Sequence, residues 1–271
     1  MFSATYRLLE QECLVVRSCL CTGLTDIRNA NLNGKGRYYT AFFQFAIGIE
    51  RMAKLALILD HMAKNNLRAP GQQIVRAYGH DLETLFDTVK TTSQIRGDSF
   101  ASSFAISPLA TKMLRFLSEF AKGMRYANLD ALASGNMQRK PLHEWNLILQ
   151  DVIATKVPKK TKQRVIGQSV AVAKAIQDIT SVIASDLSDE PLDMASALYK
   201  PALLDSASKH LVWELLLILA PLRDFIVESG HASEQTVAGR NRNIANVPNL
   251  SEFFEFIWLD RDYALKKKRW P

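Results

Sequence analysis

Apolar residues recur at spacings of three and four along most of the chain, and the strict alternation that marks half-buried strands is scarce. This periodicity predicts an all-α protein, a multi-helix bundle. A first helix is expected over residues 4–29, followed by an Asn- and Gly-rich loop over 29–36. A second helix is expected over 37–64. Its stretch YYTAFFQFAIGIERMAKLALILDHM is apolar nearly all round, the pattern of a long, nearly all-apolar central helix. Pro70 opens the next element, which takes in His80 and Thr88. Ser107-Pro108 is a start signal, with Ser as N-cap and Pro at the first helical position. The helix it opens carries the core stripe Leu109, Met113, Phe116, Leu117 and Phe120. That helix or a successor continues towards Ala133, with Gly135 as a stop. Further helices are expected over 142–155, 161–184, 202–228 with a kink at Pro221, and 250–262. A long loop over 230–248 holds the run Arg240-Asn241-Arg242-Asn243, and residues 134–141 read as a connector. The expected organisation is a helical bundle over 1–134 and further helices over 135–271, packed as part of the same domain or as a separate unit.

The 271 residues carry 34 Lys and Arg against 27 Asp and Glu, a net charge of +7 with His neutral, and 48% of them are apolar. These figures exclude intrinsic disorder and collagen. Cys13, Cys19 and Cys21 are odd in number and clustered, which argues against a disulfide framework and predicts small buried thiols on a helix in a reduced, cytoplasmic protein. The N-terminus lacks the basic and apolar regions of a secretory leader. The most apolar stretch, residues 38–62, is interrupted by Glu50, Arg51 and Lys54, short of the roughly 18 apolar residues a membrane span needs, so no membrane partner is expected. The positive charge permits an acidic partner such as RNA. It is concentrated over 152–177, where Lys156, Lys159, Lys160, Lys162, Arg164 and Lys174 occur without an acid; the stretch 178–193 then holds five acids and no base. The two blocks either neutralise each other or leave Lys159, Lys160, Lys162 and Arg164 as a strip facing nucleic acid. The basic end, 266–270, with one aromatic residue, is expected to be a frayed tail.

Candidate chemistry begins on the second helix. Glu50 and Lys54 lie four apart and share a face, with Glu on the favourable N-terminal side. Charged groups in so apolar an element must pair locally, reach the surface or meet other polar groups. Glu50, Arg51 and Lys54 therefore form a candidate polar cluster. Two segments are able to feed it, one holding Arg76 and Gly79-His80-Asp81-Leu82, the other Arg125-Tyr126-Ala127-Asn128-Leu129-Asp130. Phosphate-loop, dinucleotide, nucleophile-elbow, zinc-protease and Cys-x-x-Cys motifs do not occur, so neither a cofactor nor a metal is expected.

The combination of Tyr38-Tyr39, Gly48-Ile49-Glu50-Arg51 with Lys54, Gly79-His80-Asp81-Leu82 and Arg125-Tyr126-Ala127-Asn128-Leu129-Asp130 resembles HEPN-type helical-bundle proteins of bacteria over roughly residues 1–135. The resemblance implies a helical bundle, homodimers, and an RNA-directed protein whose enzymatic form is a metal-independent ribonuclease of a defence or toxin system. Active members carry Arg, four to six residues, then His. Here Arg76–His80 and Arg139–His143 are too close by one residue, Arg223–His231 is too far by one, and Arg125 finds Asp130 at the family spacing. A carboxylate in that place accepts a proton but at neutral pH does not donate one. Under the nuclease reading Arg125 stabilises phosphate charge, His80 is general base or acid towards a ribose 2′-hydroxyl, and Asn128 and Asp130 orient the reacting groups. The alternative is a non-enzymatic helical interaction or regulatory module, homodimeric, in which the charges on the second helix only fix its register.

Overall fold

The computed structural model describes residues 1–135, 140–236, 244–257 and 260–271. The described residues form an all-α bundle without a sheet; extended pairing is confined to two isolated bridges, Phe2 with Ala245 and Ser185 with Pro191. The helices in chain order are α1 (Ala4–Asn29), α2 (Gly36–Lys64), α3 (Gln72–Ala77), α4 (Leu82–Arg96), α5 (Pro108–Lys122), α6 (Ala127–Ser134), α7 (Pro141–Thr155), α8 (Lys159–Ile176), α9 (Met194–Gln235), α10 (Leu250–Phe253) and α11 (Arg261–Lys266). Local chemistry sets several starts. The hydroxyl of Ser3 accepts from the amide of Tyr6 at the head of α1, and Ser107 does the same for Ala110 at the head of α5, with Pro108 behind it. Gly135 closes α6 in the left-handed region at φ 69°.

α1 and α2 pack antiparallel, since Gly23 meets Phe45, Leu20 meets Gly48 and Glu12 meets Arg51. Gly48 permits the close approach: a Cβ built there would lie 2.6 Å from Leu20 Cδ2. A knot of Phe42, Phe116, Phe120 and Trp145 joins α2, α5 and α7, with Phe42 4.7 Å from Phe116 and 4.9 Å from Trp145 between ring centroids. One continuous apolar cluster runs from Leu9 to Trp270.

The expected nearly all-apolar central helix does not form. α2 carries Arg37, Glu50, Arg51, Lys54, Asp60, His61 and Lys64, and its outer side shows Phe43 and Ile47 to solvent. Among the described residues no helix is long and apolar enough to cross a membrane. A run of apolar letters hides the turn of about 100° per residue, which places the charges of α2 where partners reach them. The element with the most neighbours is the 42-residue α9, which touches α1, α2, α4, α5, α7, α8, α10 and α11. Several of its buried polar groups are paired across these contacts. Ser208 accepts from Arg28 of α1, Ser229 accepts from Arg96 of α4, and Ser233 donates to the Leu59 carbonyl of α2.

Several expected boundaries shift. His80 lies in the turn before α4, whose N-cap is Asp81. α8 ends at Ile176, not residue 184. α9 begins at Met194 and runs through Pro201, Pro221 and Gly230 to Gln235, so the expected loop starts later; the run Arg240-Asn241-Arg242-Asn243 lies outside the described residues. Gly230 is not a helix end but a notch for another chain segment: a Cβ there would collide with Leu250. The expected helix over 250–262 divides into α10, a turn of 3-10 helix (Glu255–Ile257) and α11. The tail is not frayed. Trp270 is buried, its amide donates to Thr25 Oγ1 at 2.9 Å, and the carbonyl of Lys268 accepts from Asn29.

Substituting Gly48→Ala is expected to destabilise the fold by about 1–3 kcal/mol, because the new methyl group collides with the Leu20 side chain and pushes α1 away from α2. Denaturant unfolding checks it; a midpoint equal to that of the unsubstituted chain would contradict the close approach.

Candidate functional site

Glu50 does find partners. Its Oε1 accepts from Lys54 Nζ at 2.8 Å and from His80 Nδ1 at 2.9 Å. A carboxylate only accepts, so Nδ1 carries the proton in this contact. The His80 side chain is 76% exposed and ties the turn before α4 to α2. Arg51, one residue further round the helix, turns the other way and grips Glu12 of α1 through both carboxylate oxygens, at 2.7 and 2.8 Å. The candidate cluster is thus two separate ion pairs. Asp81 N-caps α4 through the Thr84 amide and also takes Lys122 and Ser118; the Lys122 ammonium is the first cause that draws its carboxyl down to about 2. The Gly-His-Asp-Leu motif is therefore a helix-start device, with Gly79 at φ 69° and Leu82 buried.

The second segment lands elsewhere. Asn128 donates to the Tyr39 hydroxyl at 3.0 Å, at the edge of a cleft of about 240 Å³ that Lys140 and Asp189 also line. Arg125 lies over the ring of Tyr126, 4.9 Å from its centroid. The carbonyl of Asp130 accepts from Ser134, and among the described residues no hydrogen bond or ion pair joins Arg125 or the Asp130 side chain to His80. Tyr39 and Glu50 are anchored on one helix, and eleven residues at 1.5 Å each hold them about 16 Å apart. His80 and Asn128 are tied one to each, and among the described residues no contact joins them.

The basic strip is divided too. Lys162 Nζ donates to the carbonyls of Ile153 and Ala154 at 3.0 Å each, so it caps the end of α7. Arg164 reaches along its own helix to Gln168. Lys159 and Lys160 are exposed and have no acidic partner among the described residues. The two blocks of opposite charge do not neutralise each other. Asp186 holds Lys200, Asp189 holds Lys35 and Lys140, and Asp193 caps α9. Because the first turn of α8 has bases and no acid, the helix dipole adds to the positive potential there.

A second group of cations gathers around Glu214. Glu214 of α9 is only 3% exposed. It accepts from the Ser107 hydroxyl and forms an ion pair with Lys156 Nζ at 3.3 Å, which holds Lys156 against α9. One turn earlier, His210 is pushed down to about 4, first by burial and then by the charges of Lys209, Arg261 and Lys156, which outweigh that of Glu214. Arg261 opens α11, with its guanidinium 5.9 Å from the Trp213 ring. Beyond α11, Lys267 stands 5.4 Å from the Tyr263 ring centroid and 5.7 Å from that of Trp270. Lys267 and Arg17 both bear on the Cys21 thiol, which burial nonetheless raises to about 11. Lys266, Lys268 and Arg269, next along the chain, are exposed; the acids of the segment are Asp260, which caps α11, and Asp262. The docked tail thus makes a fixed basic surface with aromatic rings set into it. The composition of 266–270 was legible in the sequence, but its anchoring to α1 was not.

Among the described residues no three His, Cys, Asp or Glu side chains gather to hold a metal ion. Compared with known proteins, the chain matches no family model, no curated protein and no solved structure.

The charge environment of His210 has a stability consequence. Its folded pKa, about 4, lies below the ordinary 6.5, so between these values the unfolded chain binds more protons. Stability from this group is complete above about pH 6.5 and is lost as pH falls towards about 4. His210→Gln is expected to flatten the fall in melting temperature over that window, and an unchanged slope would remove His210 as its source.

Proposed function

We propose that the chain is an RNA-directed helical protein that binds without cleaving, and that its working surface is the basic face formed by the start of α8, Lys156, Lys209, α11 and the docked tail. The observation that carries this reading is that Lys159, Lys160, Lys266, Lys268 and Arg269 are exposed without an acidic partner among the described residues. Clustered cations of this kind gain affinity for a phosphate backbone by releasing its counterions, with no need for convergence on one atom. The resemblance of residues 1–135 to HEPN-type bundles points to the same ligand. Separation of His80 from Arg125 and Asn128 favours binding over phosphodiester chemistry. Replacing Lys266, Lys268 and Arg269 by Gln is expected to weaken RNA binding and to make log K against log salt shallower by up to about 0.7 per lost contact. Replacement of Lys159, Lys160 and Arg164 is expected to act in the same direction. Binding that is undiminished in both variants at matched salt rules the surface out.

A second reading, a homodimeric interaction module, is favoured by α6. This helix buries no residue, and Leu129 and Leu132 are 64% and 83% exposed beside the half-exposed Tyr126. Such a face gains stability when covered. Sedimentation equilibrium is expected to show a dimer that Leu129→Lys with Leu132→Lys converts to monomer; a monomer at all concentrations in the unsubstituted chain excludes it.

A further inference from the structure

The C-terminal surface has a feature that phosphate attraction alone does not use. Tyr263 projects from the middle of α11 with 54% of its surface exposed, while its neighbour Ala264 is buried and fastens the helix to the bundle. An exposed aromatic ring on a packed element is pre-oriented, so little side-chain freedom is lost when something stacks on it. Its surroundings are cationic. Lys267 stands 5.4 Å from its centroid, Arg261 sits two positions before it, and Lys266, Lys268 and Arg269 follow. Lys267, four positions after Tyr263, comes round to the same side of the helix, whereas Arg261 lies about 200° away and points to Trp213. The tail cannot swing away with these charges, because Trp270 is buried and Lys268 and Trp270 are hydrogen-bonded to α1 through their backbone.

We infer that Tyr263 is a base-stacking platform and that the preferred ligand of this surface is single-stranded RNA. The inference rests on the RNA-directed reading above and adds the strandedness of the ligand. An exposed ring with a cation beside it matches the repeating unit of a single strand, a flat base beside a phosphate. In a duplex the faces of the bases are covered by their neighbours and only backbone charge is presented. Lys267 contributes twice, as a cation beside the ring and as a contact to the adjacent phosphate. The phenol hydroxyl is not required for stacking, so Phe serves equally at this position.

The test compares a short oligouridine with an oligoadenylate–oligouridine duplex of the same length, using the full chain at one salt concentration. The single strand is expected to bind more tightly. Tyr263→Leu is expected to weaken single-strand binding about tenfold and leave duplex binding unchanged, while Tyr263→Phe retains the original affinity. Unaltered melting temperatures separate loss of stacking from loss of fold. If the duplex binds as well as the single strand, or Tyr263→Leu binds oligouridine as the unsubstituted chain does, the platform is overturned while the basic surface stands. If neither RNA binds, both readings fall together.

Discussion

The Glu214 carboxylate constrains much of what surrounds it. A buried charge without partners costs several kcal/mol, so the fold must bring partners to it. They come from two places: the Ser107 hydroxyl at the head of α5 and the Lys156 ammonium at the end of α7. One side chain of α9 thereby positions two other helices. Lys156 arrives beside Lys209, His210 and Arg261, and a single carboxylate cannot offset all the cations gathered there. The low pKa of His210, set first by its burial, is lowered further by those cations. The positive potential of the candidate surface is thus a consequence of how the bundle satisfies its most deeply placed acid.

The same logic runs along α9. Arg28, Arg96 and the Leu59 carbonyl meet Ser208, Ser229 and Ser233 in turn, so α1, α4 and α2 each engage α9 through at least one buried polar contact. Arg96 also bonds Asp98 and lies 4.4 Å from the Phe225 ring centroid. Apolar packing tolerates a slide of one helix past another far better than these contacts do, because a slide leaves a buried donor or acceptor without its partner. Polar pairs therefore set register in a core whose cohesion is apolar. They also hold a helix of 42 residues in place although Pro201 and Pro221 each remove a backbone donor.

What was legible in the sequence was local. The spans of α1 and α2, the Ser107-Pro108 start and the Gly135 stop follow from caps, loops and three-four spacing within a few residues. What was not legible depends on partners far along the chain. Ile179 and Ile183 continue the periodicity of α8, yet at 83% and 99% exposure nothing covers them, and the helix ends before they begin. Gly230 reads as a breaker until Leu250 is seen against it. The tail reads as frayed because its hydrogen bond from Trp270 spans almost the whole chain to Thr25. Among the motif residues, the local expectation that Glu50 pairs with Lys54 matches the geometry. The wider grouping of Glu50, Arg51 and Lys54 does not form, since adjacent residues on a helix point about 100° apart.

Cleavage and binding make different demands on this geometry. Phosphodiester transfer by the residues His80, Arg125, Asn128 and Asp130 requires a proton acceptor and a charge stabiliser within hydrogen-bond reach of one phosphate. The contacts of His80 and Asn128 tie them to the side chains of Glu50 and Tyr39, whose backbone positions are about 16 Å apart along α2. Binding has no such requirement. Phosphate contacts add along a strand, each cation acts at its own site, and fixed spacing between them is an advantage because it lowers the freedom lost on association. In the proposed surface, cations on α8, α9 and α11 stand on backbone positions held by the bundle and the docked tail. The rigid placement that ties His80 and Asn128 to different partners is compatible with the proposed binding surface.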